Sequence, residues 1–246
     1  MKMIFSSLQD PGFNLAAEEY LFSQRWDEIL FLYINNPCVV IGCNQSAVLE
    51  CDVSFCQDHA ISIYRRMSGG GAVFHDTGNL NFCFISNRTQ GYSPLGSEFL
   101  LPIIHILNDL EIDVSAGKRK DLWLPGDYKI SGTASRVSST RELHHGTLLY
   151  DTDLFKLEKS LTAKAGLTHS YKAIASVPSI VKNIKAYLEE KGQVTLSSAD
   201  FFDLMLKKLL DFFQLDMCCT LSKEDAEQIE LLQKNKYDLL EWTFRK

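Results

Sequence analysis

Residues 65–85 read RRMSGGGAVFHDTGNLNFCFI. Both ends of this stretch are strand-like: ISIYRRM (61–67) leads in and NLNFCFI (79–85) leads out, with AVF (72–74) held between two glycine-containing turns. The pattern predicts a β-meander over 61–86. Gly69, Gly70 and Gly71 lack side chains, so their backbone N–H groups can turn toward an anion and approach it closely. Arg65 and Arg66 precede them, and a guanidinium offers a fixed fork of donors suited to phosphate or carboxylate. His75, Asp76 and Asn79 follow within one hairpin. The stretch is not a Walker loop, because no Gly-Lys-Ser/Thr closes it. It is not a dinucleotide fingerprint either, because a strand rather than a helix follows.

Working outward, Asn14 is placed to cap a helix running to about Trp26, and FLYINNPCVVIG (31–42) reads as two strands broken by an Asn-Asn-Pro turn. Apolar residues at Leu100, Ile103, Ile104, Leu107 and Leu110 give residues 97–111 a helical period, with Pro102 suited to its first turn. DLWL, a Pro-Gly-Asp turn and YKISGTAS form a predicted hairpin over 121–135, and HHGTLLY (144–150) a further strand. Helices follow at about 154–164, 178–191, 198–214 and 222–235, the last with Ser222 and Asp225 as a capping box. The stripe on 198–214 is a core face. This order predicts an α+β (α/β) protein, mixed and mostly antiparallel sheets flanked by helices.

The chain has 246 residues, 46% of them hydrophobic, which suffices for one large core without metal or disulfides. A net charge of −6 with no long basic run argues against nucleic acid as a partner. No stretch approaches the roughly 20 apolar residues of a membrane helix, so a cytoplasmic location is expected. The seven cysteines include no Cys-x-x-Cys and read as reduced core residues.

RRMSGGGAVFHDTGNLNFCFI resembles the signature of the lipoate–protein ligase and lipoyltransferase family. NLAAEEYLF near the N-terminus resembles that family's first helix, KISGTASR followed by HHGTLL its lysine-bearing strand and partner strand, and SVPSIVKNI (176–184) a later helix entry. The matches fall in order over nearly the whole chain.

The resemblance implies the catalytic-domain fold that the family shares with biotin ligases, and a two-step reaction. Lipoate is joined to AMP using ATP and Mg²⁺, and the lipoyl group then passes to a lysine of a carrier. The expected carriers are the lipoyl domains of 2-oxoacid dehydrogenase complexes or a glycine-cleavage carrier protein. By resemblance Arg66 and the backbone of Gly71, Ala72, Val73 and Phe74 hold the nucleotide, and Lys129 contacts both lipoate and phosphate. Asn79 and Asp121 lie near the adenylate, Asp121 as a Mg²⁺ ligand; Gly70, Arg66, His75 and His145 line the lipoyl pocket. On residue type alone, His75 reads equally as a core histidine, and Asn79 and Asp121 as turn residues. Of His144 and His145 only one can face a pocket; periodicity puts His145 on a face with Thr147 and Leu149.

Two departures stand out. Cys43 sits where the family often has an arginine, and LEWTFRK ends the chain where many members continue into a smaller C-terminal domain. The expectation is a single catalytic domain over 1–246 without that accessory domain; either a separate polypeptide supplies it, or the catalytic domain works alone, or the activation step has been lost. Three alternatives share these motifs: a lipoyltransferase using preformed lipoyl-AMP, an acyl-carrier-dependent lipoyl or octanoyl transferase with Cys83 as nucleophile, and a non-catalytic lipoate-binding protein.

Overall fold

The computed structural model describes residues 1–88, 96, 98–161, 176–177 and 179–245. The chain runs β1 (Lys2–Phe5), α1 (Pro11–Gln24), β2 (Ile29–Tyr33), β3 (Cys38–Ile41), α2 (Ala47–Glu50), α3 (Val53–Asp58), β4 (Ser62–Arg65), β5 (Val73–His75) and β6 (Asn79–Asn87). It continues with α4 (Leu101–Asp109), β7 (Ser115–Ala116), β8 (Leu122–Leu124), β9 (Tyr128–Ser131), β10 (Thr133–Val137) and β11 (Arg141–Leu149). Helices α5 (Leu154–Ser160), α6 (Ile184–Glu190), α7 (Ser198–Phe212), α8 (Lys223–Leu232) and α9 (Leu240–Thr243) complete it.

A five-stranded sheet ordered β1-β2-β6-β11-β10 carries the core, antiparallel except between β1 and β2. Strand β6 explains why residues 82–85, FCFI, are a continuous apolar run. Leu80, Phe82 and Phe84 pack on one side with α4, α6 and α7, while Cys83 and Ile85 pack on the other with α1 and α8. A strand covered on both faces has no polar side to alternate with. Two three-stranded sheets, β4-β3-β5 and β7-β8-β9, flank this layer. Among the described residues no helix is long and apolar enough to cross a membrane.

Several expectations change. Segment 61–86 is not a meander: β4 and β5 both pair with β3, one parallel and one antiparallel, and β6 belongs to the other sheet. The cap of α1 is Asp10, whose carboxylate accepts the Phe13 N–H (2.7 Å), with Pro11 opening the helix. The Asn14 amide donates instead to the Leu8 carbonyl and to Asn35 Oδ1. Helix α6 starts only at Ile184, because residues 180–182 pair in extended form with Lys129. The Ser222–Asp225 capping box forms on α8. The expected helical positions 97, 162–164 and 178 lie outside the described residues.

Candidate active site

The glycine loop is built around two buried arginines that face opposite ways. Arg66 donates from Nε to Ser68 Oγ (3.0 Å), and from its terminal nitrogens to the carbonyls of Val40, Gly69 and Gly71. Its fork therefore braces the loop from within, and burial lowers its pKa to about 10. Arg65 points away from the loop. It donates to the carbonyls of Gly42, Cys43 and Gln45 and to those of Trp242, Thr243 and Arg245, so it is no anion ligand here. Gly70 holds φ +86°, where a side chain would be strained. Gly42 is needed for a different reason: a Cβ there would stand 2.2 Å from the Gly70 carbonyl oxygen.

This loop walls a cavity of about 350 Å³. Arg66, Gly70, Gly71, Ala72, Val73, His75, Asp121, Lys129 and His145 all line it. Phe74 is fully buried and turns to a second cavity of about 760 Å³ behind the loop, whose walls include Leu149, Leu154, Leu157 and Leu161. Ala72, Val73 and Lys129 border both cavities. Asn79 lines neither; its amide donates to Asn81 Oδ1 (2.9 Å), and Asn81, two residues on and on the same strand face, reaches the cavity.

Lys129 comes from β9, whose backbone is held on both sides, by β8 and by residues 180–182. Its ammonium lies 3.3 Å from Asp121 Oδ2. Burial lowers the Lys129 pKa, and the nearby Asp121 charge works against that shift. For Asp121, burial pushes upward, but the Trp123 indole N–H and the Lys129 cation outweigh it and hold the carboxyl below its usual range.

His75 accepts from the Asn35 amide at Nδ1 (3.0 Å), which leaves the ring neutral with its proton on Nε2. Burial, then the Arg66 and His145 charges, lower its pKa to about 3. His145 sits in a polar row: Nδ1 meets Glu18 Oε2 (2.8 Å), Nε2 meets Ser68 Oγ (2.7 Å), and the Tyr33 hydroxyl donates to Glu18 Oε1 (3.0 Å). His144, on the other strand face, stacks on Phe99 with centroids 4.3 Å apart. Glu18 and Tyr33 carry no local sequence signal. They come from a helix and a strand that read as ordinary core.

Cys83 is fully buried. Burial and the adjacent Glu18 carboxylate raise its pKa well above the ordinary thiol value, the reverse of what a nucleophilic thiolate needs. Among the described residues the one His/Cys/Asp/Glu grouping of metal-site dimensions is Glu18, Cys83 and His145, which does not include Asp121.

The arrangement sets two neighbouring cavities side by side, with Lys129 and the glycine-loop residues Ala72 and Val73 on the boundary between them. It can bring a carboxylic acid and a larger anionic partner together at that boundary. Residues 10–210 match the model of the lipoyl protein ligase A/B catalytic domain. The chain is 35% identical to lipoate–protein ligase 1 of Staphylococcus aureus over 99% of its own length and 73% of that protein. It is 41% identical to the human mitochondrial lipoyl amidotransferase over 74% of the chain and 49% of that protein. A lipoate protein ligase of Thermoplasma acidophilum, solved with bound lipoic acid, shares the fold at a TM-score of 0.80 and 23% identity, covering 99% of this chain and 98% of that one.

Proposed function

Because the chain belongs to the lipoyl protein ligase A/B catalytic-domain family, we propose that it activates lipoate with ATP to lipoyl-AMP and transfers the lipoyl group to a lysine of a carrier domain. The observation that supports this most is the place of Lys129: the residue borders both cavities, which the glycine-loop residues Ala72 and Val73 also line, and its ammonium pairs with Asp121. In the first step the lipoate carboxylate attacks the α-phosphorus of ATP and pyrophosphate leaves. Two anions must meet, and a cation reaching both lowers their repulsion and stabilises charge on the transferring phosphorus. In the second step a neutral carrier amine attacks the acyl carbon, the acyl–phosphate C–O bond breaks, AMP leaves, and the surplus amine proton passes to the departing phosphate or to water. The same ammonium then stabilises the developing oxyanion, and no covalent link to the protein is needed. His145, held between Glu18 and Ser68, lines the cavity that would take the acyl chain.

Mg²⁺ is held in such enzymes by one or two carboxylates together with substrate phosphates, so the single Asp121 carboxylate fits a nucleotide-borne ion. Asp121 would hold it, and the ion would neutralise phosphate charge. The carriers that fit this chemistry are lipoyl domains of 2-oxoacid dehydrogenases or a glycine-cleavage carrier. A cytoplasmic setting, where ATP is plentiful, suits the reaction.

A second reading, favoured by the 41% identity to the human lipoyl amidotransferase, is a transferase that lacks the ATP step, with preformed lipoyl-AMP as one donor to test. Pyrophosphate release from ATP and lipoate, without carrier, separates the two. Release supports the ligase. No release, with lipoyl-AMP still consumed by a carrier, leaves the transferase. Lys129→Ala should abolish adenylate formation, a loss of at least about 100-fold, while thermal unfolding stays cooperative. Undiminished turnover in that variant would remove the lysine from the mechanism.

A further inference from the structure

Ser176 Oγ makes an unusual set of bonds for a residue on the boundary of both cavities. It accepts the Ala72 backbone N–H (2.9 Å) and the Gln45 side-chain Nε2–H (3.0 Å), and it donates to Glu50 Oε2 (2.5 Å). The Gln45 amide cannot be turned round, because its Oε1 is fixed by the Gly42 N–H (2.9 Å). Two donors and one carboxylate acceptor therefore converge on one oxygen. That uses both lone pairs and the proton of a hydroxyl. The surroundings reject other groups: a phosphate or carboxylate oxygen would meet the Glu50 charge, and an ammonium would meet two N–H donors.

Ala72 is on the loop that the family resemblance assigns to the nucleotide, and Glu50 and Ser176 both line the second cavity beside it. Resting on that reading, we propose that Ala72 N–H, Gln45 and Glu50 form a hydroxyl-reading site for the ribose of the nucleotide, and that the Ser176 hydroxyl holds it in the empty enzyme and is exchanged for a ribose hydroxyl on binding. A change of Ser176 χ1 moves its oxygen away without moving the backbone, since serine hydroxyls interconvert among staggered rotamers. The ribose oxygen then takes over the same three bonds, so the exchange conserves hydrogen bonds. The site selects ribonucleotides over deoxyribonucleotides: the bound sugar ring excludes the Ser176 oxygen, so a missing hydroxyl leaves a buried carboxylate and an N–H without their partner.

Equilibrium binding of ATP, 2′-deoxy-ATP and 3′-deoxy-ATP to the full chain tests this, read by calorimetry on the wild type, Ser176→Ala and Glu50→Ala. One deoxy analogue should bind the wild type about tenfold or more weakly than ATP, the size expected for a hydrogen bond to a charged group. Ser176→Ala removes the competing hydroxyl, so it should bind ATP more tightly and keep the discrimination. Glu50→Ala should bind ATP and both analogues alike, which a purely structural role for Glu50 does not produce. If both analogues bind the wild type like ATP, or Ser176→Ala weakens ATP, the hydroxyl site is refuted while nucleotide binding stands. If Glu50→Ala does not fold, the wild-type and Ser176→Ala arms decide. Binding of none of the three nucleotides by the wild type would instead overturn the ATP reading itself, and this inference with it.

Discussion

His75 is neutral because of where it sits, and that has a measurable consequence for stability. Its pKa falls from 6.5 to about 3 in the fold, through burial and the Arg66 and His145 charges. The unfolded chain protonates this ring as the pH drops below about 6.5, and the folded one does not until about 3. Between those values the unfolded state binds more protons, so stability is lost as pH falls and is fully present above the upper value. Urea unfolding of the wild type and His75→Gln at several pH values should show the advantage of the wild type shrinking by about 1.4 kcal/mol per pH unit between roughly pH 6 and 4. A gap independent of pH would mean that the ring titrates alike in both states.

At the scale of elements, the three adjacent loop glycines are not equivalent, and Gly42, outside the run, has less room for a side chain than any of them. A Cβ on Gly42 would collide with the Gly70 carbonyl oxygen at 2.2 Å, against backbone that Arg66 holds in place. A Cβ on Gly69 meets nothing within 4 Å. Gly42→Ala should therefore cost about 3 kcal/mol or more, since overpacking against fixed atoms is not relieved by side-chain motion. Gly69→Ala should change stability by less than about 1 kcal/mol. Equal unfolding midpoints for the two variants would show the loop to be pliable.

The same scale shows what the sequence makes readable. Helices announce themselves through local chemistry: the Ser222–Asp225 box lies within one turn and forms as expected. Strand partners do not, because alternation is the same whatever a strand pairs with. Segment 61–86 reads as a meander, yet its first two strands pair with β3, more than twenty residues upstream of them. Of the candidate site, the glycine run, Lys129 and His145 are legible because several unusual residues cluster in short stretches. Ser176, Glu50, Gln45 and Tyr33 are single polar residues in unremarkable surroundings, and only the fold brings them together. Asn79 illustrates a near miss: a period of two puts Asn81 on the same face, and one strand step decides which of them reaches the cavity.

At the scale of the whole molecule, Arg65 ties two distant parts of the chain together. It connects the turn at residues 42–45 with the carbonyls of α9 and its end at 242–245, while the Trp242 indole donates back to the Arg65 carbonyl (2.7 Å). Among the described residues no carboxylate faces this guanidinium; it is satisfied by backbone carbonyls, one set of them at a helix C-terminus, where the helix dipole favours a cation. Arg65→Met should destabilise the protein by about 3 kcal/mol, because several buried carbonyls lose a charged donor at once. Amide exchange at 242–245 should also accelerate. Unchanged protection there would show that α9 docks through its side chains alone.

The way Arg66 grips the loop carries one more implication. A peptide unit is flat and trans, so its carbonyl and the following N–H point in opposite directions. With the oxygens of Gly69 and Gly71 drawn inward to the guanidinium, the N–H groups of Gly70 and Ala72 are turned the other way, outward from that cation. A charge that is itself enclosed thereby dictates the polarity of the wall a visiting molecule meets. That wall is oriented during folding, so a guest need not reorganise it on arrival.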